Sequence, residues 1–215
     1  MKNIFKCKLF RNFNQYEITE FLNYIKGEEK NFKSKNIIYS ALEPISNFGI
    51  ILSGSVEILN ITTNGEINLM FTLSQGDMIC ESACFTQSKK LPFDIIAKDD
   101  CTILKINYKK ILSKEILNYD FYPKLMENFL NILAQNNVQK AQKMDILSRR
   151  TTEDKVLTYL SLQSKLNNSK TFFIPLNREE MATYLAVDRS ALSNVLSKMA
   201  KNGTIKYHKN KFTIL

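Results

Sequence analysis

With 215 residues and 44% hydrophobic content, the chain has enough apolar material for one large or two modest folded domains, which excludes global disorder. No stretch approaches the ~18 consecutive apolar residues of a membrane helix, and Lys2, Lys6, Lys8 and Arg11 interrupt the apolar residues where a secretory leader would need a continuous run, so a cytoplasmic protein without membrane association is expected. The net charge of +9 is lopsided: residues 148–215 carry 12 Lys/Arg against 5 Asp/Glu, whereas residues 1–147 carry 18 against 16, which points the C-terminal third at a polyanion.

Residues 1–34 read as helical. Leu9, Phe10, Phe13, Tyr16, Phe21, Leu22 and Ile25 recur at three- and four-residue spacings, and Gly27 is placed to stop the helix. From Lys35 to Tyr108 the pattern changes to short β runs between turn residues. Gly49–Leu52 precedes Ser53-Gly54, Val56–Ile61 follows, and Asn64-Gly65 is a hairpin signal because both residues tolerate positive φ. Ile67–Leu73, the turn Gln75-Gly76-Asp77, then Phe93–Ile96 and Cys101–Ile106 on either side of Asp99-Asp100 complete the series. Many short strands at even spacing indicate a sandwich or jelly-roll barrel. The four cysteines (Cys7, Cys80, Cys84, Cys101) show no C-x-x-C spacing and read as free, buried thiols; Cys80 and Cys84 are better explained as core side chains than as a redox pair.

Residues 111–147 turn helical again, with Pro123 suited to the first turn of a long helix. Met126, Phe129, Leu133, Asn136, Lys140 and Lys143 follow a 3-4-3-4-3 spacing. Apolar turns followed by polar core positions fit a short coiled coil whose Asn136 fixes register, so a homodimer through this helix is expected. The bland alternative is that the same stripe docks on the β domain.

Residues 148–215 have the pattern of a winged helix. An amphipathic helix over 151–165 uses Val156, Leu157, Leu160 and Leu162 and ends at Asn167-Asn168, and Phe172–Ile174 is a short strand closed by Pro175. Asn177 caps the next helix, with Glu180 completing a capping box. Ala182 is small where two helices cross, Ala186-Val187 makes the turn, and Asp188 caps a second helix with Leu192, Val195, Leu196 and Met199 inward. The outward face of that helix shows Arg189, Ser190, Ser193 and Asn194, side chains able to read base edges in the major groove of double-stranded DNA. Beyond Gly203, Ile205–Ile214 is a basic hairpin of wing type. Lys198, Lys201, Lys209 and Lys211 suit phosphate contacts, which position without specifying.

The order of β roll, long helix and winged helix, with Gly49-Ile-Ile-Leu-Ser-Gly54-Ser-Val-Glu57, Asn64-Gly65 and Gly76-Asp77, resembles the cyclic-AMP receptor protein and fumarate-nitrate reduction regulator superfamily (Crp/Fnr) over nearly the full length. The resemblance implies an α+β fold: an effector-sensing, cyclic-nucleotide-binding-like β roll or jelly roll at 1–110, a dimerisation helix at 111–147 and a winged helix-turn-helix at 148–215. It further implies a homodimer on a palindromic operator and RNA polymerase as a further partner. Arg189, Ser190 and Asn194 sit where family members contact bases, with Ser193 a weaker candidate.

Two departures from the family pattern matter. Ala186 stands where the helix-turn-helix usually carries Gly. In the phosphate-binding cassette, Cys80-Glu81 replaces the Gly-Glu pair and Leu91-Pro92 replaces the Arg-Ser or Arg-Thr pair. Leu91 offers no charge and Pro92 no backbone donor, so a buried cyclic phosphate would lose its charge-assisted partner and cyclic AMP is not expected. Lys89 and Lys90 are expected in solvent. The expected effector is a small organic molecule in an apolar pocket of Met78, Cys80, Glu81, Phe93 and Asn136 or Asn137, whose binding shifts the long helix and turns the winged domains about a hinge near Asp145–Arg150. No metal or cofactor is expected: Cys7 stands alone near the N-terminus, against an iron–sulfur cluster, and His208, the one histidine, lies in the wing, far from a haem site. Jelly-roll metalloenzymes need histidines on their strands, and none is present there, so an enzyme is not expected. A cyclic-nucleotide-binding module that regulates by protein–protein interaction would account for the β roll but not for the winged helix.

Overall fold

Local signals start the first helix. The Asn14 side chain accepts the Glu17 N–H (2.9 Å) while the Glu17 carboxylate accepts the Asn14 N–H (2.8 Å), a reciprocal cap that opens α1 (Gln15–Ile25). The computed structural model describes residues 4–61, 64 and 67–215. Two short 3-10 turns, Ile4–Lys6 and Lys8–Phe10, precede α1. The helix stops on Lys26, which adopts left-handed backbone (φ 46°), and not on Gly27. Gly27 answers a different need, since a Cβ there would lie 2.8 Å from Leu104 Cδ1 and 3.2 Å from the Lys105 carbonyl oxygen.

The helical reading of 1–34 fails beyond that point. Residues Glu28–Phe32 form strand β1, although the segment is polar and mostly exposed, because β8 (Cys101–Asn107) supplies an antiparallel partner from Glu28↔Lys105 to Phe32↔Cys101. The other strands are β2 (Ile37–Tyr39), β3 (Asn47–Ser53), β4 (Ser55–Ile61), β5 (Ile67–Ser74), β6 (Met78–Ile79) and β7 (Asp94–Ala97), with a four-residue helix α2 (Glu81–Cys84) between β6 and β7. They form two four-stranded antiparallel sheets, in the orders β1-β8-β3-β6 and β2-β7-β4-β5, around one core that includes Phe48, Ile50, Ile95 and Ile103. Gly65 of the predicted hairpin turn lies outside the described residues; the flanking strands β4 and β5 pair antiparallel. Gly54 turns β3 into β4 at φ 76°, where a Cβ would come within 2.5 Å of the Asp100 carbonyl oxygen, and the adjacent Ser55 N–H and hydroxyl both donate to the Asp99 carboxylate.

After β8 come α3 (Tyr108–Ile111), a 3-10 turn (Glu115–Asn118) and the long helix α4 (Tyr122–Leu147), with Pro123 in its first turn as expected. The chain divides into two compact units, 1–135 and 136–215. In the first unit α4 buries Leu125, Phe129 and Ile132, and the Asn128 amide donates to the Leu9 (3.0 Å) and Arg11 (2.8 Å) carbonyls. Phe129 packs edge-on against Phe48 and Phe85, and Met126 and Leu133 are half-buried on the same core. The upper part of the predicted dimer stripe therefore serves the core of the first unit, and the large apolar side chains that α4 leaves exposed are Leu130, Val138, Met144 and Leu147.

The second unit adds α5 (Thr152–Leu166), β9 (Thr171–Phe173), α6 (Arg178–Leu185), α7 (Arg189–Lys201), β10 (Ile205–His208) and β11 (Lys211–Ile214), with the strands in the order β10-β11-β9. Its core holds Val156, Leu160, Met181, Leu192, Leu196 and Phe212. Ile146 of α4 is also in that core, 1% exposed, so this unit begins within α4, earlier than the boundary expected at residue 148, and the segment expected to hinge is partly locked by packing. Among the described residues no helix is long and apolar enough to cross a membrane, and no cluster of His, Cys, Asp and Glu could hold a metal ion.

Candidate nucleic-acid interface

The helix pair α6–α7 is built from capping and burial. Asn177 Oδ1 accepts the N–H groups of Glu179 and Glu180, and the Glu180 carboxylate returns the bond to the Asn177 N–H, which is the predicted capping box. Met181, Ala182 and Leu185 turn inward. The helix ends on Ala186 in left-handed backbone (φ 50°, ψ 61°), a conformation that costs an L-residue roughly 1 kcal/mol. Lys155 of α5 offsets part of this by donating to the Leu185 (3.1 Å) and Ala186 (3.3 Å) carbonyls, a cation at a helix C-terminus. The sequence reading missed Lys155, because nothing local connects α5 to the turn.

Asp188 occupies the N-cap position of α7 as expected, but among the described residues its side chain makes no capping hydrogen bond. Leu192, Leu196 and Met199 are buried and Val195 half-buried. Arg189, Ser190, Ser193 and Asn194 all lie exposed on the opposite face, and Ser197 and Lys201 continue it. The Ser193 hydroxyl donates to the Arg189 carbonyl (2.9 Å), which spends its hydrogen and leaves it as an acceptor. Lys198 is already engaged: its ammonium meets Glu153 at 3.0 Å, an exposed pair of the kind that contributes about 0–1 kcal/mol, so a phosphate could replace Glu153 at little cost.

In the wing, His208↔Lys211 closes the β10–β11 hairpin around Lys209 and Asn210, with Lys209 left-handed (φ 50°). Lys209 and Lys211 are exposed. They border a cleft of about 630 Å³ together with Phe173, Arg178, His208 and Asn210. Arg178 was not singled out from the sequence. Its guanidinium lies 4.9 Å from the centre of the Tyr207 ring and 5.1 Å from that of Phe212, and it donates to the Lys209 carbonyl at 3.0 Å.

The expected effector residues behave differently. Met78, Cys80 and Glu81 are buried in the first unit and Phe93 is half-buried there; Asn136 (half-buried) and Asn137 (exposed) belong to the second unit. Cys80 has φ 64°, so the left-handed turn that suits the family's glycine is kept with a cysteine in it. Across the cassette, the Leu91 carbonyl accepts the Leu42 N–H and the Lys89 carbonyl accepts the Ile45 N–H, both at 2.8 Å. Lys89 is half-buried with its ammonium 5.1 Å over the Tyr108 ring, whereas solvent was expected; Lys90 is exposed. All four cysteines are free and buried. Burial pushes the Cys7 thiol up to about 11, the Cys84 thiol up to about 12 and the Cys80 thiol higher still, which makes them poor nucleophiles.

The family model described as Cyclic nucleotide-binding domain matches residues 29–114, and that described as Crp-like helix-turn-helix domain matches residues 154–215. The chain belongs to the Crp/Fnr family. It is a DNA-binding transcription regulator of that type, with a cyclic-nucleotide-binding-type β domain, a long helix and a helix-turn-helix. Among curated relatives it is 22% identical over 179 residues to the cAMP-activated global transcriptional regulator CRP of Pasteurella multocida, spanning 82% of this chain and 85% of that one. It is 19% identical over 188 residues to the transcriptional activator protein FnrA of Stutzerimonas stutzeri, spanning 85% and 75%. Among solved structures it resembles the c-di-GMP responsive global regulator CLP of Xanthomonas campestris with a TM-score of 0.63 and 15% identity, covering 94% of this chain and 99% of that one, a likeness of fold.

Proposed function

We propose that the protein binds a two-fold symmetric operator as a homodimer, with α7 of each subunit in the major groove, and answers to a small effector other than cyclic AMP. The observation that carries this reading is the α7 face: Arg189, Ser190 and Asn194 are exposed on a helix whose other side is fixed by Leu192, Leu196 and Met199. A guanidinium can grip guanine O6 and N7, and an amide can pair with adenine in the same two-bond manner. Lys198, Lys201, Lys209 and Lys211 supply phosphate contacts around it. Leu130 and Met144, each more than half exposed and on one side of α4, support pairing of that helix, with Lys140 one turn before Met144; Val138 lies on the opposite side from Asn136 and Lys140.

For the effector, the cassette residues do not fit a cyclic phosphate. Glu81 survives, but Leu91-Pro92 provides no cation and Lys89 covers Tyr108. The effector of this reading is a mainly apolar molecule that meets Met78, Cys80, Glu81 and Phe93, three of them buried and one half-buried, and its binding biases the position of the DNA-reading units. The regulator acts in the cytoplasm, with RNA polymerase as its further partner, and it is not an enzyme.

The test is titration of labelled duplex DNA at several salt concentrations, with the mass of the complex measured in parallel. A dimer on DNA whose affinity falls steeply with salt supports the reading. A monomeric, salt-insensitive or DNA-silent protein overturns it.

A further inference from the structure

We infer that Arg178 is a positioning residue for DNA binding: it clamps the wing turn to the head of α6, so that Lys209 and Lys211 meet the DNA backbone as a preset pair. The inference rests on the DNA-binding reading above. Arg178 is the first residue of α6, and a cation at a helix N-terminus is opposed by the helix dipole, so its placement there calls for a compensating role. The compensation is visible in its contacts. Tyr207 and Phe212, one from each wing strand, stack at 5.6 Å, and the guanidinium lies beside both rings. Its Nη2 donates to the carbonyl of Lys209, the residue that holds the wing turn in left-handed backbone. Its Nη1 approaches Met181 Sδ at 3.9 Å.

One side chain thus ties the start of the helix-turn-helix to the tip of the wing, through contacts that need a planar cation with several donors. A lysine would keep the charge but could not lie beside the rings and hold the carbonyl in the same way. The side chain is half-buried, so much of it is engaged with the wing, while the exposed ammoniums of Lys209 and Lys211 border the cleft of about 630 Å³ with His208 and Phe173. Holding two cations at a fixed spacing before DNA arrives spares the ordering of a loose turn on binding.

The test uses the full-length protein, labelled duplex and the slope of log affinity against log salt. Each lost phosphate contact lowers that slope by about 0.9. Arg178→Lys and Arg178→Gln should both lower it by about 1.8, the value for loss of two contacts. Tyr207→Leu, which leaves every cation in place, should lower it in the same direction. In a Lys209→Gln/Lys211→Gln background, Arg178→Gln should change affinity less than twofold. Wild-type slope in Arg178→Lys, or a further slope loss of about 0.9 from Arg178→Gln in the Lys209→Gln/Lys211→Gln background, would show a direct phosphate contact and overturn the positioning role. Absence of salt-dependent binding by the wild-type protein would instead overturn the DNA-binding reading.

Discussion

The two units hold their candidate residues at different depths. In the first, Met78, Cys80 and Glu81 lie under the surface at 6–7% exposure, so whatever meets them must be small enough to enter the β roll. In the second, Arg189, Ser190 and Asn194 stand in solvent on a helix whose inner face is fully packed, so they can meet a macromolecule without rearrangement. Yet both units carry a non-glycine residue in left-handed backbone where the family favours glycine: Cys80 at φ 64° and Ala186 at φ 50°. The turn geometry is retained in each case, and at Ala186 the Lys155 ammonium on the last carbonyls of α6 offsets part of the strain.

The comparison can be broken most severely in the first unit. Gly54→Ala should destabilise it by about 3 kcal/mol, since the left-handed backbone penalises a Cβ and the Asp100 carbonyl leaves it no room. Denaturant unfolding followed by probes in each unit should show the first transition lowered and the second unmoved. On the DNA side, Arg189→Ala should cost about 1–3 kcal/mol on the preferred site and much less on random sequence, whereas Lys211→Ala should weaken all sequences alike. Binding isotherms on both DNA pools check this contrast.

The shared turn provides a sharper instrument. Ala186→Gly should raise the melting stability of the second unit by up to about 1 kcal/mol, because the residue is exposed and loses little else. Cys80→Gly should give a smaller gain, or none, because it also empties a buried side chain. Acid offers a further contrast. The carboxyls of Glu17, Asp99 and Asp100, all in the first unit, are held below their ordinary values, by hydrogen bonds from Lys124, Ser55 and Lys33 in turn. Their stabilisation is present above the ordinary carboxylate range of about pH 4 and is lost as the pH falls through the lowered values, so acid titration should loosen the first unit. The smallest expected effect is on the thiols: at pH 8 a thiol reagent should label the native protein slowly and all four cysteines rapidly after denaturation.

Legibility from the sequence followed the range of the contacts. Asn177 and Glu180 are three residues apart, and Leu192, Leu196 and Met199 repeat at helical spacing, so the helix-turn-helix could be read without its surroundings. Glu28–Phe32 has no alternation and is a strand only because residues 101–105 lie opposite it. Phe129 looked like part of a dimer seam until Phe48 and Phe85 were seen to enclose it. Asn128 and Arg178 went unmarked because their partners, the Leu9 and Arg11 carbonyls and the Tyr207 and Phe212 rings, are remote in the chain. The exposed face of α7 was therefore legible, whereas the contacts of Lys155 and Arg178 around it were not.

The most direct test of the central claim is selection of binding sites from a random duplex pool by the purified, reduced protein, run beside Arg189→Ala. The account predicts a two-fold symmetric site with half-site centres about 34–36 Å apart, degraded at one base pair of each half by the substitution. Enrichment of an asymmetric site, or a site unchanged by Arg189→Ala, would contradict it.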